Sequence, residues 1–273
     1  MPSDAWEQAH RAASQAGVQL RPLASLDDAD RILEVMIATW GEHQLVPREM
    51  IRALAESGNV PYGASVGDRL LGYVLGWAGV DERDGLHVHS HMLAALPERR
   101  HRGIGYALKL AQRAMALEQG IRVARWTFDP LVARNAYFNL HKLGAVADRF
   151  ERDFYGRMED ELNRGERTDR LVVRWDLGRE PGPRGIPEGA TVLLARSDDG
   201  SPQPRVAALG SVPAARLEVP PDHAELRTRA PAIASAWRDA SAEAIEACLA
   251  AGLVACGFDR EGSAYVFARE VGA

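Results

Sequence analysis

The chain has 273 residues, 46% hydrophobic and 26% charged, a balance that supplies a buried core and excludes a disordered polymer. A net charge of -5 argues against a general role on nucleic acid or acidic membranes. With no signal-type apolar core at the start and no membrane-length apolar run, the expectation is a cytoplasmic protein without nucleic-acid or membrane partners.

Cys248 and Cys256 form no CxxC pattern and read as reduced thiols. Lysine occurs only at Lys109 and Lys142, and every other basic side chain except histidine is arginine, so a single arginine carries less functional information than usual here.

In chain order, residues 18–23 read as a short strand. Asp27 or Asp28 then caps a helix through Ile32, Val35 and Met36, and a second helix follows over 47–55. Residues 62–65 and 70–77 form a hairpin across Gly67-Asp68, and 86–93 is another strand. Helical spacing of Ala107, Leu108, Ala111 and Met115 predicts a helix over 105–119. A strand at 122–128, a helix at 132–143 ending on Gly144, and strands at 146–150 and 171–177 complete this part. Three prolines and four glycines in 178–189 mark a linker. Beyond it, strands are predicted near 190–196, 205–209 and 215–219, then an Ala-rich helix ending near Gly252 and a hairpin through 259–262. Trp237 and Ile245 read as core residues.

The most informative segment runs from Pro97 to Gly105, between a strand and a long helix. Glycine lets the backbone approach a ligand closely, and the unpaired N–H groups of a helix start favour an anion. Arg99, Arg100, His101 and Arg102 add positive charge around it, which is chemistry for a pyrophosphate. By itself the Arg-x-x-Gly-x-Gly string is weak, and a plain turn is its alternative.

In that context, Arg100, Gly103 and Gly105 match in register the signature of the GNAT superfamily of acyl-CoA transferases, which the chain resembles. The segment 135–145 is similar to a second family element, with Ala145 where an aromatic is usual. The resemblance covers about residues 18–178. It implies a mixed α/β fold with a V-splayed sheet flanked by helices, in a domain of residues 1–178. A linker at about 178–189 would lead to an α+β extension at 190–273 of unknown role.

The resemblance also implies an acyl-CoA cosubstrate, acetyl-CoA or succinyl-CoA, and no metal. It places the cofactor on Arg100, His101, Arg102, Gly103, Ile104 and Gly105, on the strand backbone at Leu93 and Ala95, and on Asn135. The implied reaction is N-acylation of a small-molecule amine by direct attack, and a homodimer is an open expectation.

His87, His89 and His91 share one face of a regular strand. They read as a metal site, as hydrogen-bonded structural groups, or, in a GNAT-like fold, as the base that deprotonates an ammonium substrate. His89 and His91 are preferred over His87 for that role. The position usually held by the family's acidic tyrosine is Leu140, so Tyr137, Tyr155 or solvent would protonate the departing thiolate. Asp129 carries a proton or orients an amine, or else is only a turn residue before Pro130. Trp126 and Phe128 would wall the acceptor site, with Arg134, Arg170 or Arg157 clamping a carboxylate. His89-Ser-His-Met92, Trp126–Pro130, Arg134-Asn-Ala136 and Thr168-Asp-Arg170 also resemble a GNAT branch linked to amino-acid N-acylation, including succinylation. A non-catalytic coenzyme A-binding module and a histidine-strand metalloenzyme are the alternatives.

Overall fold

The structure is a computed structural model that describes residues 2–269 except 43, 44, 100, 101, 157, 159–164, 186, 188 and 206–208. Arg100, His101 and Arg157 thus lie outside the described residues. The fold is mixed α/β, and the chain divides into two compact units after Trp126, the first also taking in Asp176–Gly178.

The first unit opens with helix α1 (Pro2–Gln15), where the sequence suggests only a polar, Ala-rich stretch. Ala5, Ala9, Ala12 and Ala13 recur at helical spacing and are buried where α1 packs on α4 (Ile104–Glu118). Methyl-sized side chains let the two helices approach closely, and an alanine stripe has no strong hydrophobic pattern to announce it. Strand β1 (Gln19–Pro22) precedes α2 (Leu26–Trp40). The cap of α2 is Ser25 rather than Asp27 or Asp28. Its side chain accepts from the Asp28 amide at 3.0 Å, while the Asp28 carboxylate accepts from the Ser25 amide at 3.1 Å. This reciprocal pair satisfies two otherwise open donors.

After α3 (Arg48–Glu56) come β2 (Tyr62–Val66), β3 (Arg69–Asp81), β4 (Gly85–Ala95) and, beyond a 3₁₀ turn at Pro97–Arg99, α4. Strands β1 to β4 are antiparallel neighbours in sequence order, and β5 (Val123–Phe128) then joins β4 in parallel. The core under this sheet includes Leu23, Ile32, Met36, Leu71, Leu75, Ala107 and Leu108.

The β3–β4 ladder contains one irregularity. Leu75 pairs with Met92 and Gly76 with Ser90, so His91 is the extra residue of a β-bulge. Gly76 makes the bulge possible. A Cβ there would lie 2.6 Å from the His89 carbonyl oxygen and 2.9 Å from Gln112 Nε2.

The second unit has strand order β7-β6-β11-β12-β10-β8-β9, with β6 Val146–Glu151, β7 Arg170–Asp176, β8 Thr191–Arg196, β9 Pro202–Pro204, β10 Ala214–Glu218, β11 Val254–Asp259 and β12 Ala264–Ala268. Its helices are α5 (Ala133–Ala136), α6 (His223–Arg229) and α7 (Pro231–Ala250), the last packing on β6, β8, β9 and β10. The helix predicted over 132–143 is α only in α5 and continues as a π turn, Tyr137–Lys142. The Leu143 amide, accordingly, reaches back to the Phe138 carbonyl at 3.0 Å. Gly144 then turns the chain at a φ of 69°, and a Cβ there would collide with the carbonyl oxygen of Gly182. Most of the strand expected at 205–209 lies outside the described residues, and a strand not expected, β9, precedes it. Its two prolines hide it from a propensity reading, yet an edge strand, last in the order, tolerates them.

Gly76→Ala should cost about 2 kcal/mol by overpacking. Chemical denaturation should show this as a lower midpoint at unchanged m-value.

Candidate active site

The candidate site begins where two strands part. β5 pairs with β4 at Val88↔Ala124 and His89↔Arg125, and among the described residues no ladder pair joins them beyond that point. β4 nevertheless runs on to Ala95, paired on its other side with β3. Among the described residues, the backbone groups that β4 turns toward β5 after His89 thus have no ladder partner on that strand. Leu93 and Ala95, the expected cofactor contacts, lie on this length and are partly buried. Below the fork, the buried Arg125 guanidinium pairs with the buried Asp84 carboxylate of the β3–β4 turn, fixing where the two strands are still joined.

The histidines sit on one side of the strand but do different things. His89 and His91 both pack on Trp77, with ring centroids 4.9 and 5.0 Å away, and lie 5.8 Å from each other. Trp77 is the cross-strand partner of His89, and the extra residue at the bulge brings His91 onto the same indole. His87 instead turns back to the hairpin, its Nδ1 3.0 Å from the Gly85 carbonyl oxygen. Among the described residues, no group of three or more His, Cys, Asp or Glu converges in a way that would hold a metal ion.

Burial, helped by neighbouring His91, His87 and Lys109, pushes the His89 imidazolium down to about 4, and burial lowers His91 too. Both rings are thus neutral at neutral pH. His91 is the more exposed of the two.

Next to this strand is the start of α4. Gly103 is its N-cap, left-handed with φ 86°, and no side chain of the described residues caps the helix. The first amides of α4 stand at the positive end of the helix dipole. Arg102 is exposed there, whereas the Ile104 side chain is buried, leaving only its backbone for a ligand. A Cβ on Gly105 would touch only Leu93 Cδ2, at 3.6 Å, so the fold itself does not require glycine at 105. That single contact also shows that the helix start and the open edge of β4 are adjacent.

In the second unit Asp129 has another occupation. Its two oxygens accept from Arg238 Nη1 and Nη2 at 2.7 and 2.9 Å, and Oδ1 also accepts from the Leu131 amide at 2.9 Å. Arg238 Nη2 donates at 2.7 Å to Glu166 as well, and His223 Nε2 lies 3.1 Å from both Glu166 oxygens. Burial pushes the Glu166 carboxyl up, but the hydrogen bonds from His223 and Arg238 outweigh it and hold it down to about 2. Asp129 is therefore an anchor for α7 as well as the turn residue its place before Pro130 suggests.

Arg170 is buried, donates to the Asp169 carbonyl oxygen at 2.9 Å, and lies over the Tyr155 ring. Tyr155 is exposed, its hydroxyl 3.3 Å from Thr127 Oγ1. Tyr137 is half-buried, stacks on His141 and lies under the Arg260 guanidinium. Arg134 and Asn135 are exposed at the start of the same helix. Leu140 is wholly buried. Phe128 is buried, and so is Trp126, whose ring faces Lys109 of α4.

Sequence reasoning missed Trp77, Arg238, Glu166 and His223. Trp77 was within reach, since it shares a hairpin with His89. The other three are joined only by tertiary packing.

Because His89 titrates near 4 when folded against 6.5 in the unfolded chain, the folded state binds fewer protons between those values. Stability should be complete above pH 6.5 and decline as pH falls toward 4, by up to about 3 kcal/mol from this ring. His89→Phe should flatten that slope in denaturation measured at pH 4.5 and pH 7, and an unchanged slope would contradict the assignment.

No curated protein matches the chain. Residues 29–144 match the model of the Acetyltransferase (GNAT) family. Three solved structures illustrate the likeness. A GNAT-family acetyltransferase of Streptococcus pneumoniae is 17% identical over 57% of this chain and 98% of its own, with a TM-score of 0.48. The ribosomal-protein alanine N-acetyltransferase of Escherichia coli is 10% identical over 62% and 99%, at 0.47. An aminoglycoside acetyltransferase from an uncultured soil metagenomic sample is 16% identical over 41% and 78%, at 0.37. The family match thus makes residues 29–144 similar to a GNAT acetyltransferase domain.

Proposed function

We propose that the chain moves an acyl group from coenzyme A to the amine of a small molecule, a free amino acid being the first acceptor to test. The observation that carries this reading is the end of the β4–β5 ladder at His89, with the His89–His91 pair at that point and Gly105, at the start of α4, against Leu93 farther along β4. A thioester needs an anion cradle for its pyrophosphate, a length of unpaired backbone for its pantetheine amides, and a proton acceptor where the thioester ends. That β4 and the start of α4 offer a candidate for each of the three in succession supports the reading.

In this reading the amides of Gly103–Gly105 and the Arg102 side chain hold the pyrophosphate, and the backbone at Leu93 and Ala95 holds the arm. A backbone N–H of β4 donates to the thioester oxygen as it gains charge. A neutral imidazole takes the proton that the substrate ammonium must lose before its nitrogen attacks. His91 is the better candidate, being the exposed bulge residue, while His89, held near 4, is a weaker base that fixes the position of its neighbour. The thiolate then leaves. With Leu140 buried, its proton comes from Tyr137 or solvent, and a thiol of pKa about 8.5 needs little assistance.

For an acceptor or acyl chain bearing its own carboxylate, as in succinyl-CoA, Arg134 is the reader to test. It is exposed and has no ion pair among the described residues, whereas Arg170 is already engaged. A guanidinium binds a carboxylate through two parallel hydrogen bonds.

Free-thiol release across a panel of amines with acetyl-CoA and succinyl-CoA tests the activity. No turnover with any pair, in protein that binds coenzyme A, would leave only a binding module. Gly105→Asp should keep the fold and lose most coenzyme A affinity by calorimetry, because a carboxylate would stand where the pyrophosphate belongs. His91→Gln should reduce kcat by roughly 10²–10⁴-fold with little change in affinity. The acidic limb of the wild-type pH–rate profile should lie below pH 6.5 and vanish in that variant, and a profile unaltered in both His89→Gln and His91→Gln would exclude the pair as base.

A further inference from the structure

Lys109 is one of two lysines in the chain, and it is buried inside the first unit. Its Nζ donates to Ser90 Oγ at 2.7 Å and to Gln112 Oε1 at 3.3 Å, and it stands 3.6 Å from the centre of the Trp126 ring. No carboxylate pairs with it among the described residues, and burial drives its pKa well below the usual lysine value. A buried amine without a counter-ion is costly, so it calls for a function.

Its contacts identify one. The last ladder pair of the fork is His89 with Arg125, and the next residue on each strand is Ser90 and Trp126. Lys109 touches both. One nitrogen therefore bridges β4 and β5 at the step where their backbone pairing ends. Gln112, the third contact, is seated against Gly76, opposite the bulge. Gly76, Gln112, Lys109 and Ser90 thus line the helix side of the bulge, while Trp77, His89 and His91 line the other.

We propose that Lys109 is a positioning residue: it fixes the width of the β4–β5 fork and the placement of α4 along it, and so sets the slot for the pantetheine arm. An apolar side chain at 109 would fill the volume but would bind neither strand. Lys109 lies about 6 Å along the helix axis from Gly105, so the same nitrogen fixes the spacing between phosphate cradle and fork. This inference rests on the proposed acyl-CoA function for its ligand but not for its geometry, and the experiment has one arm for each.

The first arm is amide hydrogen exchange in ligand-free protein. Lys109→Met, similar in length and suited to a core, should raise exchange over residues 90–93 and 124–127 while the rest of the unit keeps its protection. Unchanged exchange there would overturn the bridging role. The second arm is calorimetry with coenzyme A and with the nucleotide fragment of coenzyme A that lacks the pantetheine arm. Lys109→Met should weaken coenzyme A by about tenfold, the worth of the lost hydrogen bonds, and leave the fragment within twofold. Equal loss for both ligands, or loss for neither, would refute the positioning role. Ser90→Ala, which removes one leg of the bridge, should shift both arms the same way and serves if the methionine variant does not fold. A wild type that binds neither ligand would refute the acyl-CoA reading and the slot with it, while the exchange arm would still decide the bridge.

Discussion

The first unit is organised around one broken ladder. Two parallel strands that stay paired satisfy each other and offer nothing to a ligand. Here β4 and β5 share two pairs and separate, while β4 stays held by β3 on its other side. Separation leaves polar backbone in need of partners, which is a cost for the apo protein and an opportunity for a thioester arm. The surrounding features restrict that cost to one place. The Arg125–Asp84 pair secures the closed end, Lys109 occupies the branch point, and the bulge at His91 bends β4 locally.

Small residues are what allow the arrangement to be so compact. Gly76 and Gly72 bring β3 against the carbonyl oxygens of His89 and Ala94, and Gly72 also admits Ile104 at the start of α4. Alanines at 107, 111 and 114 on α4, and at 5, 9, 12 and 13 on α1, continue the same logic one layer out. The helix therefore lies close enough to the sheet for a lysine to reach the middle of the fork.

How much of this was legible depended on distance along the chain. The hairpin at Gly67, the strand at 85–95 and the helix after Gly103 are local patterns, and the sequence places them within a residue or two, except that β3 runs on to Asp81, four residues past its expected end. The shared face of His89 and His91 follows from strand period, and the bulge, which no periodicity announces, keeps both on Trp77. The branch point did not show, because Ser90, Lys109 and Trp126 are brought together only by packing. In the same way, Asp129 reads locally as a turn residue before proline, and nothing within a hundred positions reveals that Arg238 takes both of its oxygens. Composition added a further obstacle. In an arginine-rich chain the sequence could not separate Arg238 from exposed arginines, whereas the scarcity of lysine made Lys109 conspicuous without saying why.

The Asp129–Arg238–Glu166 cluster has a consequence for ancestry and for comparing related chains. Among the described residues, the basic side chains that meet Glu166 come from α6 and α7, as His223, Arg227 and Arg238. Removing one side of such a buried pair is far more costly than replacing both. The helices α6 and α7 thus belong to the same compact unit as Asp129 and Glu166, held to it by these pairs. A chain lacking these helices would leave both carboxylates to solvent, whereas one carrying them without Asp129 and Glu166 would leave Arg238 buried without these partners. In comparisons of related chains these positions belong together, Asp129 and Glu166 on one side and His223 and Arg238 on the other.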